Sequence, residues 1–157
     1  MLKNKSSLSF LLAGFALVAS HTLLAADPGD LDNSFSGDGI VTTSFPGASR
    51  SVINMVKQRT TDAKLVTAGY QVDGSSVSAM TAARYNGDGS LDTTFSSDGL
   101  RAIVFPIGAS AGWSTATAPN NKLVIAGSVS NGSNIDFALA RLDDGGADHR
   151  LLELTTR

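Results

Sequence analysis

The stretch from Leu31 to Pro46 reads LDNSFSGDGIVTTSFP, and the stretch from Leu91 to Pro106 repeats it as LDTTFSSDGLRAIVFP. The two copies begin 60 residues apart and share eight of their sixteen positions, namely Leu, Asp, Phe, Ser, Asp, Gly, Phe and Pro. Unrelated segments of ordinary composition share far fewer positions. An internal repeat with this period predicts an architecture of stacked, equivalent units.

The second half of the repeat is also present twice. Lys64 to Gly69 reads KLVTAG, and Lys122 to Gly127 reads KLVIAG, a match at five of six positions with an offset of 58 residues. Asp136 to Leu142, DFALARL, stands where MTAARY ends the first unit, with an offset of 57. The shrinking offset indicates short deletions in turns, where a repeat tolerates them.

The composition between the repeated motifs favours strands joined by tight turns. Asp-Gly pairs mark turns, β-branched residues mark strands, and no window of twelve residues has the periodicity of an amphipathic helix. The predicted strands of the first unit are Ile40 to Phe45, Ser51 to Lys57, Lys64 to Tyr70 and Val77 to Tyr85. Those of the second unit are Leu100 to Phe105, Gly112 to Ala118, Lys122 to Gly127 and Asp136 to Leu142.

Two units of four short antiparallel strands suit the blades of a propeller better than a sandwich. We therefore expect an all-β fold, with two four-stranded antiparallel blades of an incomplete propeller-like repeat. The predicted division is residues 1–26 as a signal peptide, 27–90 as the first blade, 91–146 as the second blade and 147–157 as an aberrant tail.

The first 26 residues have the pattern of a secretory signal peptide. Lys3 and Lys5 form a basic start, and Leu8 to Ala19 is an apolar run too short to span a bilayer. Small residues then predict cleavage near Ala25 or Ala26. The alternative is an uncleaved anchor. We expect an exported protein, extracellular, periplasmic or at the cell surface, with no membrane span after cleavage.

Composition excludes several kinds of site. The chain has no Cys, so disulfides, thiolate metal sites and Cys nucleophiles are excluded. Thirteen of its fourteen acidic residues are Asp, and the formal net charge is -2. Without a basic patch, nucleic acid is not an expected partner.

In this order, LDTTF with its DG turn, KLVIAG and DFALAR resemble the delta-60 repeat family. The resemblance covers essentially all of Leu31 to Leu142. That family consists of tandem bacterial repeats, usually in exported proteins and taken to form β-propeller blades. The resemblance implies a fold and an exported location, but no settled activity and no catalytic residues.

The repeated residues have structural explanations. Leu91 and Phe95 are expected to pack the loop between them against its own blade. Asp92 is expected to accept backbone hydrogen bonds, as in Asx turns. Gly69 and Gly127 are expected to end their strands where a neighbouring backbone passes closely.

The start of the second repeat also resembles part of a calcium loop. Its candidate oxygen ligands and turn residue are Asn86, Asp88, Gly89 and Asp92. Arg84, however, stands at the first ligand position and Phe95 at the twelfth, where Asp and a bidentate Glu belong. We expect an Asx-rich turn there rather than a calcium site.

No catalytic constellation is predicted. A Ser-His-Asp site would need His149, which lies in the aberrant tail, and repeated turn Asp residues explain any paired carboxylates. No phosphate-binding glycine motif is present. Trp113 and Tyr70 could stack on a sugar or peptide, but Trp113 is expected to pack between blades. We therefore assign no catalytic, cofactor-binding or metal-binding residue and expect no cofactor.

Two interpretations of function remain. The first is an exported, non-catalytic repeat module with a structural or binding role and an unknown ligand. The alternative is a fragment of a larger exported propeller enzyme, hydrolase-like, whose active site lies on missing blades. The pattern is lost after Leu142, where a third LDxxF is due, which suggests a truncated or frameshifted reading frame. Further blades or self-association are expected to cover the exposed blade faces.

Overall fold

The computed structural model describes residues 27–146 in full and residues 148–152 by their backbone. The predicted signal peptide lies outside the described residues. The described residues divide at Asp30, with residues 27–30 in a first unit and the residues from Leu31 onward in a second. In the described part of the first unit, the chain turns from Asp27 to Asp30, whose N–H donates to the Asp27 carbonyl at 3.0 Å.

The second unit consists of two four-stranded antiparallel sheets, and the predicted all-β fold is confirmed. The strands of the first sheet are β1 (Ala48–Gln58), β2 (Leu65–Asp73), β3 (Ser78–Tyr85) and β4 (Leu100–Ile103). Those of the second sheet are β5 (Ser110–Thr117), β6 (Leu123–Ser130), β7 (Ile135–Leu142) and β8 (Asp148–Leu152). A short 3-10 turn, Pro119–Asn121, joins β5 to β6. No described helix is long and apolar enough to cross a membrane.

The sheets are out of phase with the sequence repeats. Leu100, at the start of β4, pairs with Ala83, and Ile103 pairs with Met80. The strand predicted to open the second unit therefore completes the first sheet. Ile40 to Phe45, also predicted as a strand, forms none. No strand among the described residues pairs with this segment to supply ladder hydrogen bonds.

The edge of the second sheet is formed by the tail that departs from the repeat pattern. The backbone of β8 pairs with β7 at Leu139↔Leu152, Ala140↔Leu151 and Leu142↔Asp148, with an irregularity in the register. In the first sheet, β4 makes four consecutive pairs with β3. The tail thus occupies the position of β4 with a shorter and less regular ladder.

Gly69 and Gly127 lie inside their strands rather than at the strand ends, which corrects the prediction. Each faces a β-bulge in the neighbouring strand, between Ile53 and Met55 in the first sheet and between Gly112 and Ser114 in the second. A Cβ on Gly69 would lie 1.9 Å from the Val52 carbonyl oxygen, and the distance is also 1.9 Å from Gly127 to the Ala111 oxygen. The expected close backbone approach is therefore confirmed.

The main core lies where the two sheets pack against each other. The sheets approach closely at the glycines of β5 and β6, where a Cβ on Gly112 would lie 3.2 Å from Met80 Cγ and one on Gly127 would lie 2.8 Å from Met80 Cε. The buried members of this core include Val66, Ala68, Met80, Ile103, Phe105, Ile125, Ala138 and Leu142. A second, smaller cluster contains Phe45, Ala83 and Tyr85 and lies on the opposite side of the first sheet. The outer face of the first sheet is therefore covered only in part, because Ile53 and Val56 on β1 remain exposed.

Candidate functional site

A buried ion-pair network lies at the LDTTF loop of the second repeat. The Asp92 carboxylate accepts from Lys64 Nζ at 2.6 Å and from Arg84 Nε at 2.5 Å. It also accepts from the Thr94 backbone N–H at 3.1 Å, which confirms the predicted Asx turn. Burial alone would raise the pKa of Asp92, but the hydrogen bonds from Lys64, Thr94 and Arg84 hold it well below its usual range.

The same network joins the two sheets. Arg84 Nη1 donates to the Asp144 carboxylate at 2.8 Å and to its backbone carbonyl at 2.6 Å. Arg59, 4% exposed, donates to the same carboxylate at 2.7 Å. The sequence interpretation missed this role of Arg84. The sequence did contain an indication of it. Arg84 lies on the same face of its strand as Met80 and Ala82, and a charged side chain on an apolar face needs a partner.

The repeated Phe of each LDxxF loop packs against the glycine of the next DG-type turn. A Cβ on Gly146 would lie 2.8 Å from the Phe95 ring, and one on Gly89 would lie 3.2 Å from the Phe35 ring. The following serine N–H donates to the same turn in both copies, at 2.7 Å each. Phe95 therefore links its loop to the following sheet as well as to its own, where its ring lies 5.0 Å from the Arg84 guanidinium.

The candidate calcium loop forms hydrogen-bonded turns. The Asp88 carboxylate accepts from the Ser90 backbone N–H at 2.9 Å and from its hydroxyl at 2.6 Å, and these bonds lower its pKa. Asp92 faces Arg84 and Lys64. Within residues 27–146, no group of three or more His, Asp or Glu side chains is placed to hold a metal ion. His149 lies outside the residues whose side chains are described.

The two predicted stacking residues are separate from this network. The prediction that Trp113 packs between the blades is wrong. Trp113 lies in the bulge of β5 and points away from the first sheet. Its ring is 53% exposed, and its indole N–H donates to the Ser128 hydroxyl at 3.1 Å. Tyr70 lies under the Arg50 guanidinium, 5.4 Å from the ring centroid. Neither aromatic ring completes a binding pocket.

An apolar groove lies on the side of the first sheet that faces away from the second sheet; we call it the first-sheet groove. It contains two cavities of about 250 Å³ and 290 Å³. The larger is lined by Phe35, Val41, Ile53, Val56, Leu65, Thr67 and Tyr85. Phe45 and Thr43 close one side, where the Tyr85 hydroxyl donates to Thr43 at 2.8 Å. The lining offers hydroxyls but no ionisable side chain other than Tyr85.

The opposite end of the molecule presents an apolar surface on the second sheet, which we call the second-sheet face. Ile135 is 74% exposed and Phe137 is 86% exposed, and both lie in register on β7. Exposed apolar surface of this kind marks an interaction site in soluble proteins. Together with the first-sheet groove, it is the candidate functional surface of this chain.

Comparison with known proteins supports the propeller interpretation. Two segments, residues 61–95 and 118–147, match the family model described as "Domain of unknown function (DUF5122) beta-propeller". Each segment covers the two central strands of one sheet, β2 and β3 in the first and β6 and β7 in the second. No curated protein and no solved structure matched the chain. The match supports a β-propeller-type repeat module.

Proposed function

We propose that this chain is an exported, non-catalytic β-propeller-type repeat module of the delta-60 kind, with a structural or binding role. The observation that carries the proposal is the Asp92 network. The most concentrated set of ionisable groups in the described region is held in mutual ion pairs that link the repeats. A carboxylate with a lowered pKa and two cationic partners is poorly suited to accept or donate a proton near neutral pH.

The amino-terminal composition supports export. Lys3, Lys5 and the apolar run from Leu8 to Ala19 match a secretory signal. A fold without Cys does not depend on an oxidising compartment, which is compatible with any of the exported locations. A binding role is supported by the two apolar surfaces, which lie at opposite ends of the stacked sheets and are accessible to a partner.

The test has two independent readouts on protein isolated from bacterial cells that express the full-length gene. Amino-terminal sequencing should begin near Ala26 or Asp27 in the exported fraction. An intact Met1 in the cytosolic fraction would contradict export. The same preparation should hydrolyse no ester, glycoside or peptide substrate above background. Hydrolysis that is lost on mutation of a described side chain would favour the enzyme alternative.

A further inference from the structure

Phe137 has the same register position in the second sheet that Met80 has in the first. Met80 pairs with Tyr70 and Phe137 pairs with Ser128, and each partner directly follows the glycine of its strand. Met80 is fully buried where the sheets meet, whereas Phe137 is 86% exposed. The first sheet contacts the second sheet through the face that carries Met80. The second-sheet face, which carries Phe137, is the equivalent face of the second sheet.

The first-sheet groove is the counterpart of the surface that covers Met80. In the second sheet that surface carries Gly112, on which a Cβ would lie 3.2 Å from Met80 Cγ. Gly112 pairs with Gly127, and Ile53 pairs with Gly69, so Ile53 is its equivalent. Ile53 lines the groove and is 55% exposed. The contact between the two sheets is made by two surfaces, one on each sheet. An equivalent of each of these surfaces is exposed, one at each end of the molecule.

We propose that copies of this chain associate head to tail, with the second-sheet face of one copy covering the first-sheet groove of the next. The occupant of each surface is therefore a second copy, and the new contact reproduces the junction between the two sheets of one chain. Because the two surfaces differ, the contact is heterologous, and successive copies close into a ring or extend as an open chain according to the rotation between neighbours. The inference follows from strand register and does not depend on the proposed export or on the absence of catalysis.

The edge of β7 takes part in this association. Ile40 to Phe45 is the repeat equivalent of Leu100 to Phe105, which includes β4, and it has no ladder partner among the described strands. Head-to-tail packing places this segment of the next copy along β7, where β8 of the same chain now pairs. The two segments cannot share one edge. The short, irregular β8 ladder is therefore displaced when copies associate.

Charged groups at the two ends complement each other in the same arrangement. Arg141 pairs in register with Val124 as Arg84 pairs with Val66, and Arg141 is exposed whereas Arg84 is buried. Asp32 is the repeat equivalent of Asp92 and is also exposed. Association brings Arg141 of one copy to Asp32 of the next, in the place of the Arg84–Asp92 ion pair.

Sedimentation velocity of the full chain over a range of concentrations tests the proposal. The wild type should form dimers or larger species as concentration rises. Phe137→Ser should weaken association about tenfold or more, as for loss of an interface hot spot. Ile107→Ser is the matched control, because Ile107 is exposed but lies in the loop between β4 and β5, outside both surfaces. A wild type that stays monomeric, or equal effects of both variants, would overturn the proposal.

Mixing two variants tests the head-to-tail geometry. Phe137→Ser retains an intact first-sheet groove, and Ile53→Ser retains an intact second-sheet face. Each variant alone should be monomeric, and an equimolar mixture should form a one-to-one dimer that does not grow further. Both side chains are more than half exposed, so neither change should prevent folding, and circular dichroism checks this. Two folded variants that do not combine would show that the contact is not heterologous.

A proline in β8 tests the displacement step. Leu151 pairs with Ala140, and proline removes a ladder donor and disfavours pairing. Leu151→Pro should free the β7 edge and tighten association severalfold, because a larger fraction of molecules is competent to bind. Unchanged or weaker association in this variant would mean that β8 and a second copy do not compete for β7.

Discussion

Asp32 and Asp92 occupy the same place in the repeated LDxxF motif, yet their surroundings differ completely. Asp92 is 3% exposed and paired with Lys64 and Arg84. Asp32 is exposed and accepts hydrogen bonds from Ser34, which lower its pKa. The motif alone therefore defines an Asx turn, and the cations supplied by the neighbouring strands convert one copy of it into a buried ion pair.

The matched substitutions Asp92→Asn and Asp32→Asn measure that difference. Asp92→Asn leaves Lys64 without its carboxylate partner and Arg84 with Asp144 alone. Loss of one partner from a buried pair costs about 3 kcal/mol or more of unfolding free energy. Asp32→Asn should leave the urea midpoint unchanged within error. Urea unfolding at neutral pH gives both values. Equal destabilisation of the two variants would mean that the ion pairs contribute little and that the turn alone is responsible.

The pH dependence of stability should report the same group. The folded pKa of Asp92 lies below the unfolded value of about 3.9. Its contribution is therefore fully present above about pH 4 and is lost as the pH falls towards the folded pKa. The wild type should lose its stability advantage over Asp92→Asn below about pH 4. An advantage that stays constant from neutral pH into this acidic range would show that Asp92 titrates normally.

At the scale of the strands, sequence reasoning located the central elements well. The β-branched runs and the flanking Asp-Gly turns predicted β1, β2, β3, β5, β6 and β7 within a few residues. It predicted β4 as a strand but assigned it to the second unit, and it predicted a strand at Ile40 to Phe45 that does not form. Both errors concern pairing, which is not encoded in local composition. Ile40 to Phe45 and Leu100 to Phe105 occupy the same position in the repeat, but among the described strands only the second segment has a pairing partner.

The sequence predicted that exposed apolar surfaces would exist, but not which residues would form them. Uncovered apolar faces at both ends were expected from the repeat, and the exposed Phe137 and Ile53 agree with that expectation. Trp113 was misplaced because the bulge in β5 changes which side of the sheet its ring occupies, and a bulge leaves little trace in a single sequence. The role of Arg84 depends on Asp144, which lies 60 residues away and becomes its neighbour only through folding.

The glycine that faces each bulge gives a test at this scale. Gly69→Ala places a Cβ 1.9 Å from the Val52 carbonyl oxygen, so the backbone of β1 or β2 must shift. We expect a loss of about 3 kcal/mol or more in unfolding free energy. Gly74→Ala is the control, since no atom lies within 4 Å of the added methyl group, and its effect should be small. Thermal melts of both variants compare them, and a mild effect of Gly69→Ala would show that the bulge adapts.

At the scale of the whole described molecule, the two sheets are joined by contacts of several kinds. Asn54 donates across the junction to the Gly112 carbonyl at 2.7 Å, and the Met80 N–H donates to the Ser110 hydroxyl at 2.9 Å. Arg59 and Arg84 reach Asp144 from the first sheet. With the apolar core between them, these bonds make the sheets one cooperative body, and the exposed surfaces at its two ends are where association is expected.

The phase shift between sheets and repeats also affects the order of events during synthesis. A ribosome that has released β1, β2 and β3 has delivered a sheet whose last edge is still open, because β4 belongs to the next repeat. That edge closes after Leu100–Ile103 has left the ribosome, so a translational pause after Tyr85 exposes unpaired backbone to other nascent chains. Under the proposed export, the same delay would keep the leading sheet unfinished during passage through a translocation channel.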